Sequence, residues 1–336
     1  MILHRIPPAN FADRSPSARS GSSRVMAEAP AKLNLVLEIV GKRPDQFHEL
    51  RSLMVAVNLC DQLTFENLVA REIELSCDLP QLSVGPENLI VRAAKLLQQK
   101  TGYGHGARIE LIKRIPWAAG LGGGSSDAAA TLAGLSKLWN LNLSRQELAS
   151  LGGELGSDIP FFFETPAAWC LGRGERVRSI PLGKTLHFVL VSPEVGLATV
   201  EVYRELGCTN KVEDVETAEL NWESISTKIA EDDQKDSSRR TELFQALAEG
   251  NAESLARLLR NDLQEPAMRI SPTVERWYRR LQTTKALGCL MSGSGSSLFA
   301  LCRDHREALQ IAQELHRGSP SEGMDKARIS VVETCT

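Results

Sequence analysis

No two of the seven cysteines form a Cys-x-x-Cys pair, and their scatter has no ligand-like spacing. This excludes the usual signature of a structural zinc, and an odd number of free thiols suits a reducing compartment. Long apolar runs are missing too: none approaches the ~18 residues of a membrane span, so no membrane partner is expected. There is no excess of basic charge. The formal net charge is -3 over 336 residues, which argues against a nucleic-acid partner, since such proteins carry a basic face. Acids are scarce at the start, where residues 1–24 hold four Arg, five Ser, three Pro and one Asp. Pro7, Pro8 and Pro16 interrupt any amphipathic helix there. We read 1–24 as a flexible extension and the chain as cytoplasmic; a plastid transit segment, rich in Arg and Ser, is the alternative.

What is present is the composition of a globular chain, 42% hydrophobic and 24% charged, long enough for two domains with separate cores. AKLNLVLEIVGKR (31–43) alternates, with Leu33, Leu35, Leu37 and Ile39 to one side and Lys32, Asn34 and Glu38 to the other. That predicts a strand. After a loop at Pro44-Asp45-Gln46, the stretch to Leu68 reads as further strand. ENLIVRAAKLLQQKTG predicts a helix ended by Gly102, and ARIELIKRIP a strand stopped by Pro116. LSRQELASLGGELGSD opens with a capping box, Ser144 and Glu147. HFVLVSPEV begins a strand near 186, which we take as the start of a second domain (25–184, then 185–336). Residues 213–241 are polar and charge-dense and read as a surface insertion. TELFQALAEGNAESLARLLRNDLQ and VERWYRRLQTT read as helices, and LMSGSGSSLFAL as a Gly/Ser loop beside a strand.

PWAAGLGGGSSDAAATL (116–132) sits between a strand and a helix, with Ser125 or Ser126 as the expected cap and Ala128, Leu132, Leu135 and Trp139 as its buried stripe. Successive glycines let backbone N–H groups turn toward one point without Cβ clashes, and at a helix start they join the positive end of its dipole. The natural guest is a phosphate. A P-loop needs Lys after the glycines, and the dinucleotide fingerprint needs a third glycine where Ser125 stands. This is therefore a different nucleotide loop.

Phosphoryl transfer asks for positioning, charge stabilisation and a carboxylate to receive the hydroxyl proton. Lys32, on a buried strand, and Asp158, emerging between Ser157 and the apolar PFFF run, are the candidates for that pair. Magnesium keeps most of its waters and takes nucleotide oxygens; Ser125, Ser126 and Asp127 are the protein oxygens beside the loop. Phe47 and His48 offer a ring and an imidazole to a base.

These segments together resemble the GHMP kinases. The glycine loop is similar to their P-x-x-x-G-L-G-S-S-A-A motif. PAKLNLVLEIVGKRPDQFHELRSL, ENLIVRAA, LGSDIPFF and MSGSGSSLFAL resemble, in order, the branch that acts on a diphosphocytidyl-methylerythritol. The resemblance covers about residues 29–302. It implies an α+β, two-domain GHMP kinase fold, with a ribosomal-protein-S5-like N-terminal domain, a ferredoxin-like C-terminal domain, and ATP and substrate in the cleft between them. It further implies ATP-dependent phosphorylation of the 2-hydroxyl of 4-diphosphocytidyl-2-C-methyl-D-erythritol, a step of the non-mevalonate isoprenoid route, by a monomer or weak homodimer with Mg²⁺ carried on ATP.

By the same resemblance Lys32 and Asp158 are catalytic. Asn88, Lys113, Pro116, Gly120, Leu121, Gly122, Gly123, Gly124, Ser125 and Ser126 bind ATP, with Ser125 a candidate magnesium ligand. Asn34, Phe47, His48, Thr199, Tyr203, Gly293, Ser294 and Gly295 bind the substrate, His48 reading the cytosine with Tyr203 on the other side of the base. Gln46 and Phe47 depart from the family's glycine and tyrosine. Other GHMP substrates, a catalytically silent nucleotide sensor and a nucleic-acid-binding S5-like module are the rival readings. The Phe47-His48 loop with Tyr203, the retained Lys32 and Asp158, and the net charge speak against each in turn.

Overall fold

The computed structural model describes residues 2–6, 24–43, 45, 47–209, 237–317 and 326–335. Its contacts fall into two units. The first is Met1–Ala31, Leu59–Ile115 and Gly122–Phe163; the second is Lys32–Asn58, Pro116–Leu121 and Glu164–Thr336. This division follows contact rather than the single sequence cut at 184, because two long strands, β2 (Arg24–Lys42) and β3 (His48–Leu68), each give residues to both units.

In the first unit the sheet runs β1-β2-β3-β5-β4, with β1 at Ile2–Ile6, β4 at Ile73–Cys77 and β5 at Gly106–Ile112. β5 lies antiparallel to β3, with Ile109 opposite Phe65, and parallel to β4. Three helices pack here: α1 (Leu89–Thr101), α2 (Gly123–Leu138) and α3 (Arg145–Leu155). Asn88 caps α1 by accepting from Ile90 N at 2.9 Å, and Gly102, at φ 68°, ends it. The Ser144–Glu147 capping box is formed at α3 as expected. α2 is buried on almost every side from Ser126 to Ser136 rather than along one stripe. Its small residues allow this: a Cβ on Gly134 would lie 2.4 Å from Phe65 Cε2.

In the second unit the remaining halves of β2 and β3 are flanked by β9 (Arg260–Asn261), parallel to β2, and by β6 (Ala167–Gly172) and β7 (Arg176–Ser179). Ala31 to Leu37 are buried on both faces of β2, so alternation marks the strand but not its exposure. A second, antiparallel sheet has the order β10-β11-β8-β12, from β8 (His187–Pro193), β10 (Gly288–Met291), β11 (Leu298–Cys302) and β12 (Ala327–Glu333). Among the described residues the unit's helices are α4 (Thr199–Thr209), α5 (Ser237–Glu249), α6 (Ala252–Leu258), α7 (Gln264–Ile270), α8 (Pro272–Gln282) and α9 (His305–Arg317). Val189, Val191, Leu298 and Ala300 meet Val274, Trp277, Leu281, Ile311 and Leu315 in its core.

Four expectations change. Ile2–Ile6, inside the stretch read as flexible, is a strand paired with Arg24–Glu28; its residues precede the first proline, and the rest of 1–24 before Arg24 lies outside the described residues. Residues 237–241 of the expected insertion open α5, while 213–236 lie outside the described residues. The stretch 241–264, read as one helical run, breaks at Gly250, φ 63°, and again at β9. Neither Ser125 nor Ser126 caps α2. Its N-cap is Gly122 at φ 68°, a left-handed position that favours glycine over a hydroxyl residue.

Candidate active site

Lys32 is 4% exposed and donates to Asn34 Oδ1 on the same face of β2. Asn34 Nδ2 donates to Ser52 Oγ at 2.8 Å, and Ser52 Oγ donates to Val36 O at 2.7 Å. This buried relay fixes the amide so that its oxygen faces the ammonium. The Asn34 amide thus links Lys32 to Ser52.

The second unit also brings the two glycine loops together. Lys32 N donates to Leu121 O at 2.9 Å, Ser292 Oγ to Gly120 O at 3.1 Å and Ser297 N to Ala119 O at 3.1 Å. A Cβ on Gly120, at φ 76°, would lie 2.1 Å from Ser292 O. A Cβ on Gly293 would lie 3.0 Å from Lys32 Nζ. Lys32, Gly120, Leu121 and Gly293 therefore meet at one point, with Gly295 beside Gly120 across the same loop contact. Asn261, buried in β9, donates to Met291 O at 2.7 Å and Gly293 O at 2.8 Å and so holds the second loop.

In the first unit, α2 begins with no side chain capping it. The open N–H groups of its first turn, after Gly120 and Gly122 at positive φ, make an anion site by backbone alone. Lys113, whose side chain is 5% exposed, reaches that turn: a Cβ on Gly123 would lie 3.0 Å from its Nζ. Lys113 is held by Asp61 and, at 2.8 Å, by Asp127. Asp61 Oδ1 also accepts from Ile115 N at 2.9 Å and from Arg114 N, pinning the approach to the loop. Burial alone would lower the Lys113 pKa, but Asp127 and Asp61 outweigh it and raise it. Burial pushes Asp127 up to about 7, against the pull of Lys113. Asn88 caps α1 and donates to Ser83 O, so it has a structural task whatever else it binds. Asp158 stands half-buried between α3 and the single 3-10 turn Pro160–Phe163.

The oxygens at the start of α2 suit magnesium. Ser126 Oγ and Asp127 Oδ1 are buried without a hydrogen-bond partner, and a hydroxyl beside phosphate oxygens is an ordinary setting for this ion.

His48 and Tyr203, expected to hold a base, have ring centroids 4.7 Å apart, tilted by 31°. The rings touch each other, so a base between them would have to part them. Burial, with Lys42 nearby, lowers the His48 pKa, which favours a neutral ring able to donate and accept. Phe47 is 53% exposed beneath the Arg173 guanidinium, 4.9 Å from its ring centroid. Arg43 N donates to Phe47 O at 2.7 Å and its side chain holds Glu49 and Asp45, which sets the loop. Gln46 lies outside the described residues. Thr199 Oγ1 and Ser294 Oγ are 2.9 Å apart, pairing two predicted substrate residues.

Sequence reasoning missed Ser52, Asp61, Asn261, Ser292 and Arg173. Each acts through a neighbour, and only Asp61 and Asn261 carried a signal, a polar residue inside an otherwise apolar or helical reading. Among the described residues, no helix is long and apolar enough to cross a membrane.

The chain matches the family models "GHMP kinases N terminal domain" over residues 88–164 and "GHMP kinases C terminal" over 243–320. It is 39% identical over 287 residues to the 4-diphosphocytidyl-2-C-methyl-D-erythritol kinase of Carboxydothermus hydrogenoformans, covering 85% of this chain and 91% of the relative. The protein of the same name from Prochlorococcus marinus is 41% identical over 309 residues, covering 89% and 91%. A solved structure, of a 4-(cytidine 5'-diphospho)-2C-methyl-D-erythritol kinase, aligns with a TM-score of 0.68 at 32% identity, covering 91% of this chain and 98% of that one.

Proposed function

Since the chain belongs to the 4-diphosphocytidyl-2-C-methyl-D-erythritol kinase family of the GHMP kinases, we propose that this ATP-dependent kinase phosphorylates the 2-hydroxyl of that diphosphocytidyl alcohol in non-mevalonate isoprenoid synthesis. The observation that carries the reading is the meeting of the Lys32 ammonium with Gly120 and Gly293, the two loops that face phosphates in such a reaction.

In this mechanism the uncapped start of α2 and the glycines before it take the ATP phosphates through backbone N–H groups. Ser125, next to the unpartnered Ser126 Oγ and Asp127 Oδ1 at the start of α2, is the candidate protein oxygen for Mg²⁺, which would supply charge neutralisation on the phosphates when bound. Asp158 accepts the proton of the attacking hydroxyl. Lys32, aligned by Asn34 and Ser52, stabilises the charge on the transferring group. His48 hydrogen-bonds the cytosine and Tyr203 packs on it after the two rings separate. Thr199, Ser294 and Gly295 line the remainder of the substrate.

The test is a coupled ADP-release assay with Mg·ATP and, in parallel, the diphosphocytidyl alcohol, mevalonate and homoserine. Turnover with the first alone is expected. Turnover only with another alcohol would overturn the substrate while leaving the kinase.

A further inference from the structure

Three side chains meet at one end of the β10-β11-β8-β12 sheet and take no part in the proposed reaction. His187 is the first residue of β8, Glu333 is the last of β12 and directly opposite it in register, and His305 opens α9 just after β11. The ligand atoms of the three all lie within 4.8 Å of one another. His187 Nδ1 comes within 3.3 Å of Glu333 Oε2, and the two imidazole rings are 5.8 Å apart, edge to face.

An ion pair between His187 and Glu333 is the simplest account of two of these groups, and it leaves two facts aside. His187 Nδ1 is buried and makes no hydrogen bond, because its approach to the carboxylate lacks the alignment of one. A second imidazole, that of His305, brings a ring nitrogen within 4.8 Å of the ligand atoms of both other groups. Two imidazoles and one carboxylate are the donor set of an open zinc site, in which a fourth position is left to water. Metal-ligand lengths of about 2.0–2.2 Å put tetrahedral donors roughly 3.3 Å apart. The His187–Glu333 separation meets that already. Only His305 has to close, and it is exposed at the first turn of its helix.

The geometry points to a zinc-class divalent metal site formed by His187, His305 and Glu333. Its ligands come from β8, from the start of α9 and from the end of β12, so the ion ties the chain's last strand to the first strand and last helix of the same sheet. Oxygen-preferring magnesium does not suit two imidazoles, so the site does not compete with the ATP-bound ion.

The experiment uses the full chain, stripped with a chelator and titrated with Zn²⁺ by calorimetry in a weakly coordinating buffer. Co²⁺ then serves as a coloured probe of coordination. One Zn²⁺ per chain with a micromolar or lower Kd is expected, together with intense four-coordinate Co²⁺ absorption and a melting temperature raised by several degrees. His305→Ala and Glu333→Gln should each weaken binding at least ten-fold and abolish the melting shift. His105→Ala, which alters a histidine outside the cluster, should leave both unchanged. Kinase turnover with Mg·ATP should be equal in all of these variants, so failure of the metal site and failure of the kinase reading are separable. Absence of saturable binding, or unaltered affinity in both cluster variants, would overturn the proposal.

Discussion

Asp158 and Lys113 illustrate two ways in which a single charge matters here. With Asp158 in its proposed role, Asp158→Asn should lower turnover by about three orders of magnitude, while ATP affinity, read by calorimetry, stays within about two-fold of the parent. Lys113→Met instead strands Asp61 and Asp127 without their cation in a buried setting. Breaking such a pair costs about 3–5 kcal/mol, and the loss should be visible in urea unfolding even with no ligand present. The same cluster sets a pH trend. Asp127 holds its proton up to about 7 in the folded chain but only to about 3.9 when unfolded. Between those values the folded state binds more protons, so this group's contribution to stability declines as pH rises. Asp127→Asn should therefore flatten the fall of melting temperature from roughly pH 4.5 to pH 7; an unchanged slope would assign that trend to other groups. Lys32 and the glycine loops could be singled out in the sequence because phosphate chemistry calls for their types, and the structure brings Lys32 beside Gly120 and Gly293. Asp61, Ser52 and Asn261 could not, because each bonds partners far away in the sequence, Lys113, Asn34 and Gly293, that only the folded chain brings close.

At the level of elements, α2 was legible as a helix and illegible at its start. The rule that hydroxyl residues cap helices points to Ser125 or Ser126, but Gly122 in the left-handed region starts the helix earlier and leaves its first N–H groups open. The α1 and α3 caps, by contrast, formed where the local rule placed them, since nothing else there constrained the backbone. Two opposing effects meet at Gly134 inside α2. Alanine is favoured over glycine in a helix by about 1 kcal/mol, yet its Cβ would press into the Phe65 ring at 2.4 Å. Overpacking of a filled core costs about 1–3 kcal/mol, so Gly134→Ala should destabilise the chain in denaturant unfolding. Ser144→Ala, which only opens the capping box, should cost about 1 kcal/mol with ATP turnover unaffected. The run read as one helix over 241–264 shows the converse weakness. Its apolar periodicity continues through Gly250 and β9 because both flanking helices bury their faces, Leu243 and Leu247 in one, Leu255 and Leu258 in the other. Periodicity does not record the interruption between them.

For the whole molecule, nucleotide binding and folding are linked. A ligand that binds only the folded chain, at a hundred times its Kd, adds about 2.7 kcal/mol of stability. Mg·ATP should thus raise the melting temperature, and Ser125→Ala should shrink that rise without moving the ligand-free midpoint; a full rise in the variant would remove Ser125 from the metal's neighbourhood. The order of motifs made the family legible over about residues 29–302, whereas the division into contact units was hidden, because β2 and β3 each serve two of them. The hydrogen bonds from Ser292 and Ser297 to Gly120 and Ala119 have a further consequence. They tie a loop from the N-terminal family segment to one from the C-terminal family segment, 172 positions apart in the pair Gly120 and Ser292. The two loops therefore behave as one splice unit: a chimaera that takes only one of them from a relative should lose these hydrogen bonds, and one that takes both should keep them.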